Sequence, residues 1–143
     1  MFVPNKGGDN VKTIELDATI ENLDEIIAFA DAFLEEKGCD MKSCMKIELA
    51  LEEAYVNIAN YAYGDKTGKA RLDVSTDGNE FTFVLSDSGV PYNPLEKEDP
   101  DVTLSAEERQ IGGLGVFLVK KNMDFVSYDY KDGRNILTMK KTM

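Results

Sequence analysis

Residues 40–64 read DMKSCMKIELALEEAYVNIANYAYG, and this stretch decides the fold because it predicts one long helix that is partly buried. Asp40 is a favourable N-terminal cap, and the pattern predicts a helix that runs to about Tyr63 and stops at Gly64. At about 1.5 Å per residue such a helix is roughly 35 Å long, so it crosses a whole domain of this size. The residues that indicate burial are small or apolar: Ala50, Ala54, Ile58 and Ala59.

The segment EAYVN at residues 53–57 places Glu53 and Asn57 four positions apart, so they lie on one helix face, which Asn60 shares. An amide oxygen suits Mg²⁺, which takes one or two protein ligands and completes its shell with phosphates and water. A carboxylate one turn away can accept a proton from a hydroxyl group or water that attacks a terminal phosphate. Alone, this spacing is more typical of a solvated helix face.

A second motif, DSGVPYNP at residues 87–94, follows an apolar strand pattern. At that place Asp87 can accept a hydrogen bond from an exocyclic amine, and Gly89 lets a planar ring lie against the backbone. The alternative is an ordinary turn from strand to loop, for which Asp and Gly are the usual residues.

A third motif, GGLG at residues 112–115, opens a helical pattern. A helix N-terminus offers free amides and the positive end of the helix dipole, and glycines let phosphates approach closely. The alternative is a glycine hinge packed against the sheet. Because glycines are costly inside a helix, three of them at its start favour phosphate binding.

The chain of 143 residues is 43% apolar and carries a formal net charge of -11, which suits one acidic domain with one core. So acidic a chain is not expected to bind nucleic acid by bulk electrostatics, and an anionic membrane surface repels it. The same charge opposes a bare nucleotide, so a nucleotide is expected to arrive with its cation. No apolar run approaches the roughly 20 residues that cross a bilayer, and residues 1–10 lack the apolar core of a signal peptide.

The chain has no histidine, which excludes a His-based triad, a His-ligated metal and phosphohistidine chemistry within it. Its two cysteines, Cys39 and Cys44, argue against a zinc site or a disulfide framework. They suit a reducing compartment, so the predicted location is cytoplasmic.

The remaining patterns predict a strand, two helices, a hairpin, a long polar loop, a helix and a second hairpin. In chain order these are residues 11–17, 22–37, 40–63, 70–76 with 80–87, about 95–111, 115–122, and 125–130 with 135–140. A polar loop of this length in a compact domain is typical of a functional lid. The order predicts an α+β two-layer sandwich with helices on one face of a mixed, mostly antiparallel sheet, in a single domain over residues 1–143.

Taken together, the three motifs resemble those of the GHKL family, which has the Bergerat ATP-binding fold, and within it the anti-sigma-factor serine kinases of bacteria. The resemblance extends from about Val11 to Lys141. Residues 53–57 are similar to the family's N box, 87–94 to its G1 box and 111–116 to its G2 box, and the loop at about 95–111 resembles its ATP lid.

The resemblance implies that Glu53 is the general base and that Asn57 binds Mg²⁺. It also implies that Asp87 accepts a hydrogen bond from the amine of the adenine. The nucleotide-binding residues that it implies are Asn57, Asn60, Asp87, Gly89, Gly113, Leu114 and Gly115. The implied cofactors are ATP and Mg²⁺. The implied reaction transfers the γ-phosphate to a serine of a small anti-anti-sigma (STAS-like) protein, and the family's members also bind a sigma factor, commonly as a homodimer.

The chain departs from the family's pattern at two places. Tyr61 stands where many members have a histidine, and Asn135 stands where the larger superfamily often has a threonine near the adenine. Arg109 is the lid cation near the third motif, for which a salt bridge to Glu107 or Glu108 is the plainer role.

Two other functions stay open from the sequence. One is a nucleotide-gated module that binds a partner protein without useful catalysis, and the other is the ATPase part of a larger assembly. A complete sensor kinase is excluded within this chain because it has no phospho-accepting histidine.

Overall fold

The computed structural model describes residues 11–96 and 113–143. These residues form three helices and five strands, with short 3₁₀ turns at Ile20–Asn22 and Pro94–Glu96. The elements are β1 (Lys12–Asp17), α1 (Leu23–Glu36), α2 (Met41–Tyr61), β2 (Lys69–Asp77), β3 (Glu80–Asp87), α3 (Gly113–Asn122), β4 (Phe125–Lys131) and β5 (Arg134–Thr142).

The five strands form one sheet in the order β1-β2-β3-β5-β4. Each of the four described pairings is antiparallel, so the parallel component expected of a mixed sheet is not among them. The predicted α+β class is confirmed. β1 is an edge strand of the described sheet, and β5 lies between β3 and β4.

One face of the sheet is buried at every second position, as the period of a strand requires. Val74, Phe83 and Met139 are aligned across three neighbouring strands and are fully buried. The same core contains Ile26, Ala30, Phe33 and Leu34 of α1 and Ile47, Ala50, Leu51, Ala54 and Tyr55 of α2. The helices therefore cover this face, which is the predicted two-layer arrangement.

The ends of α2 match the prediction to within two residues. The Asp40 carboxylate accepts a hydrogen bond from the Ser43 amide at 2.9 Å, which is the predicted N-terminal cap. The helix ends at Tyr61 rather than at about Tyr63. Inside the 53–57 motif, Tyr55 is fully buried and its hydroxyl donates to the carbonyl oxygens of Asp17 and Thr19, so this side chain ties α2 to the chain that leaves β1.

Both predicted hairpins are present. The second turns at Asp132 and Gly133, whose φ angles are 54° and 76°, and left-handed backbone at both central positions is what an Asp-Gly turn provides. α3 begins at Gly113, two residues before the predicted start. Gly112, Arg109 and most of the predicted lid lie outside the described residues.

Candidate functional site

A cavity of about 400 Å³ opens between α2 and the buried face of the sheet. Its walls come from the second half of α2, from strands β3, β4 and β5, from most of residues 90–95, and from Leu118 and Val119 of α3. The described lining residues with acidic or amide side chains are Glu53, Asn57, Asn60, Asp87 and Asn135. Four predicted site residues from α2 and β3 therefore meet at one cavity whose size lies in the range of small-molecule sites.

Glu53 and Asn57 are both half-buried, one turn apart on the helix face that lines the cavity. Burial raises the pKa of the Glu53 carboxyl, and the neighbouring charge of Glu52 raises it further. A raised pKa makes a carboxylate a better proton acceptor near neutral pH. Glu52 itself is exposed and does not line the cavity.

Asp87 is the most deeply buried charged residue of the cavity wall, with 4% of its surface exposed. Its Oδ1 accepts hydrogen bonds from the Gly89 amide at 2.8 Å and from Nδ2 of Asn135 at 3.0 Å. Within residues 11–96 and 113–143, nothing donates to its Oδ2 and no lysine or arginine pairs with it. A buried carboxylate oxygen without a donor is costly, so this arrangement fits a ligand that brings an N–H group.

Gly89 has a packing role that the sequence did not reveal. A Cβ atom at this position would lie 2.2 Å from the carbonyl oxygen of Ala62, which caps the C-terminus of α2. The Val90 amide donates to the same oxygen at 2.9 Å. A glycine is thus required at position 89, where the turn contacts the end of α2. Gly89 is not among the cavity-lining residues, so its predicted position beside a planar ring stays a prediction.

Asn135, which the sequence marked only as a departure from the family's pattern, is part of the cavity wall. It is 7% exposed, lines the cavity and pairs in register with Asp87, although 48 residues separate them. The sequence signal for it was the resemblance, in which Asn135 stands at the place of a threonine near the adenine. Tyr61, the other departure, is 47% exposed and contributes to the cavity wall.

Gly113, Leu114 and Gly115 form the start of α3, and that helix reaches the cavity through Leu118 and Val119. The N-terminus of this helix is where the sequence predicted phosphate binding. Contacts of the three residues themselves are outside what the structure describes, so their role stays a prediction.

The charge of the cavity favours a nucleotide that carries a cation. Glu53 and Asp87 are acidic, and none of the described lining residues is a lysine or arginine. The described part of the chain also has no group of three acidic, cysteine or histidine side chains that could hold a metal alone. An amide ligand such as Asn57 fits a Mg²⁺ ion whose other ligands are phosphates and water.

Comparison with known proteins agrees with this geometry. Residues 16–141 match the family described as the histidine kinase-like ATPase domain, and the chain belongs to that family. The predicted family is therefore confirmed, and with it the use of ATP.

The chain is similar to several named protein kinases. It is 25% identical over 128 residues to the serine/threonine-protein kinase BtrW of Bordetella bronchiseptica. The matched region covers 89% of this chain and 90% of the relative. It is 26% identical over 108 residues to the serine-protein kinase RsbW of Listeria monocytogenes, covering 72% of this chain and 69% of the relative. These names agree with the predicted protein serine kinase activity.

None of the helices in the described parts of the chain has the length and apolar character to span a bilayer.

Proposed function

We propose that the protein is an ATP-dependent serine kinase of the anti-sigma-factor type. It would transfer the γ-phosphate of ATP to a serine of a small anti-anti-sigma protein. The observation that carries the proposal is that Glu53, Asn57 and Asp87 line one cavity, with the first two side by side on α2. The relatives that are named serine kinases match most of this chain, which supports a serine kinase activity.

Each of these residues has a distinct role in the proposal. The free Oδ2 of Asp87 accepts a hydrogen bond from the exocyclic amine of the adenine, which places the base against the end of β3. The amide oxygen of Asn57 is the protein ligand for Mg²⁺, and the bound ion neutralises charge on the phosphates. The carboxylate of Glu53 orients the serine hydroxyl and takes its proton, a task for which its raised pKa suits it.

The Glu53→Gln variant tests the proposal. Glutamine keeps the size of the side chain but cannot accept the proton, so ATP binding by calorimetry should persist while phosphate transfer falls roughly 10²–10⁴-fold. Glu35→Gln is the control because Glu35 is exposed, lies outside the cavity and does not contribute to the raised pKa of Glu53, so its transfer rate should stay near that of the wild type. An unchanged transfer rate in Glu53→Gln would remove Glu53 from its role.

The alternative is a nucleotide-gated module that binds its partner without catalysis. The presence of a half-buried carboxylate with a raised pKa beside Asn57 favours the kinase, since binding alone has no use for a base there. Transfer of label from γ-labelled ATP to a candidate partner protein separates the two: binding without transfer supports the module.

The finer parts of the proposal concern partners and location. A sigma factor as a second partner and a homodimer are proposed by analogy with the family. In the described part of the sheet, β1 pairs on one side only, with β2, so its other edge is open to a second copy. A cytoplasmic location is supported by the two free thiols, Cys39 and Cys44.

A further inference from the structure

The Asn135 side chain is the hub of a buried hydrogen-bond network in the cavity wall. Its Nδ2 donates to Oδ1 of Asp87 at 3.0 Å and to the carbonyl oxygen of Val90 at 2.9 Å. Its Oδ1 accepts from the Tyr92 amide at 3.0 Å and from the hydroxyl of Tyr128. One side chain therefore connects the end of β3, the segment that follows it and β4.

The orientation of this amide is determined by its two backbone partners. The Tyr92 N–H can only donate and the Val90 carbonyl can only accept, so the oxygen and nitrogen of Asn135 cannot be exchanged. As a result, the NH₂ group must face Asp87. It holds Oδ1 of that carboxylate together with the Gly89 amide.

The consequence concerns the other carboxylate oxygen. With two donors on Oδ1, the Asp87 side chain is held in one rotamer, and Oδ2 is left as a pure acceptor in the cavity wall. A fixed acceptor at this place binds an exocyclic N–H donor. It does not bind a carbonyl oxygen or a C–H group equally well, because either would leave the buried oxygen without a donor.

We propose that Asn135 is a positioning residue that sets the selectivity of the site for a purine with a 6-amino group, by holding Asp87 as a fixed acceptor. The inference rests on the proposed function, because it requires that ATP binds in this cavity. Asn135 acts through Asp87 and has no part in phosphate transfer.

The test compares Mg²⁺ complexes of ATP and of purine riboside triphosphate, in which hydrogen replaces the 6-amino group. The quantity measured is the ratio of the two dissociation constants. In Asn135→Ala and Asn135→Ser the preference for ATP should fall about tenfold, which corresponds to one hydrogen bond to a charged group. A variant that merely loosens the fold weakens both ligands and leaves this ratio unchanged.

Two features of the design guard against loss of folding. Asn135→Ser keeps a polar group in the cavity wall, but its hydroxyl is too short to replace the Nδ2 donor to Asp87, so it carries the test if the alanine variant unfolds. Ser86→Ala is the matched control: Ser86 is buried next to Asp87 on β3 and bonds to Arg134 at 3.0 Å, but does not line the cavity. Its selectivity ratio should equal that of the wild type.

The outcomes separate this inference from the proposed function. If the wild-type protein prefers ATP and the folded Asn135 variants keep that preference, the inference is overturned and ATP binding stands. If the wild type binds both triphosphates equally, the inference is also overturned, because no amine selectivity exists to explain. If the wild type binds neither, both the proposed function and the inference are overturned.

Discussion

Replacing Gly89 with alanine would place a methyl group against the backbone at the end of α2. The new Cβ would lie 2.2 Å from the Ala62 carbonyl oxygen and 2.6 Å from its carbon. That residue cannot move freely, because its amide is bonded to the carbonyl oxygen of Ile58 at 3.0 Å. The turn must shift away, which adds overpacking strain and breaks the 2.9 Å bond from the Val90 amide to Ala62. The strain and the lost hydrogen bond together should lower the free energy of unfolding by about 2–4 kcal/mol.

Urea denaturation measures this loss directly, and for a domain of this size it corresponds to a fall in Tm of about 8 °C. Ser88→Ala is the control, since Ser88 is the exposed neighbour and its removal should cost less than about 0.5 kcal/mol. The same displacement should weaken ATP binding, because the Gly89 amide holds Asp87. If Gly89→Ala is as stable as Ser88→Ala, then the turn does not pack on α2 in the way described.

Two further predictions concern stability. The carboxyls of Asp31 on α1 and Glu48 on α2 are half-buried and lie side by side, and the hydrogen bond to Asp31 is the main cause that raises the pKa of Glu48 to about 7. The folded state then holds a proton that the unfolded state releases, so stability from this pair falls as pH rises from about 4.5 to about 7. Glu48→Gln should therefore match the wild type at about pH 4 and exceed it by about 1 kcal/mol at about pH 8 in urea titrations, after allowance for solvent screening; equal stability at both values would contradict the pairing. Tyr55→Phe removes the hydroxyl that donates to Asp17 and Thr19, and should cost about 1–2 kcal/mol without changing ATP affinity; loss of ATP binding by a folded variant would instead give this tyrosine a place in the site.

Local features of the fold could be predicted from the sequence because each depends on neighbouring residues. The cap at Asp40 and the Asp132-Gly133 turn both depend on residues within one turn of the chain. The order of the strands could not be predicted, because placing β5 between β3 and β4 is a long-range pairing that no local pattern encodes.

The candidate site divides in the same way. Glu53 and Asn57 could be placed together because a helix puts residues four apart on one face. Asn135 could not be joined to Asp87 before the register of β3 and β5 was known. The contact between Gly89 and Ala62 likewise depends on how a turn and a helix end meet, which spacing along the chain does not reveal.

The central claim is that the cavity between α2 and the sheet binds Mg-ATP. In that complex Asp87 contacts the adenine and Asn57 binds the metal ion. A crystal structure with Mg²⁺ and a non-hydrolysable ATP analogue tests it most directly. We predict the exocyclic amine about 3 Å from Oδ2 of Asp87, the metal on the amide oxygen of Asn57, and Glu53 beside the terminal phosphate. An analogue bound with its base away from Asp87, or a metal held without Asn57, would contradict the claim.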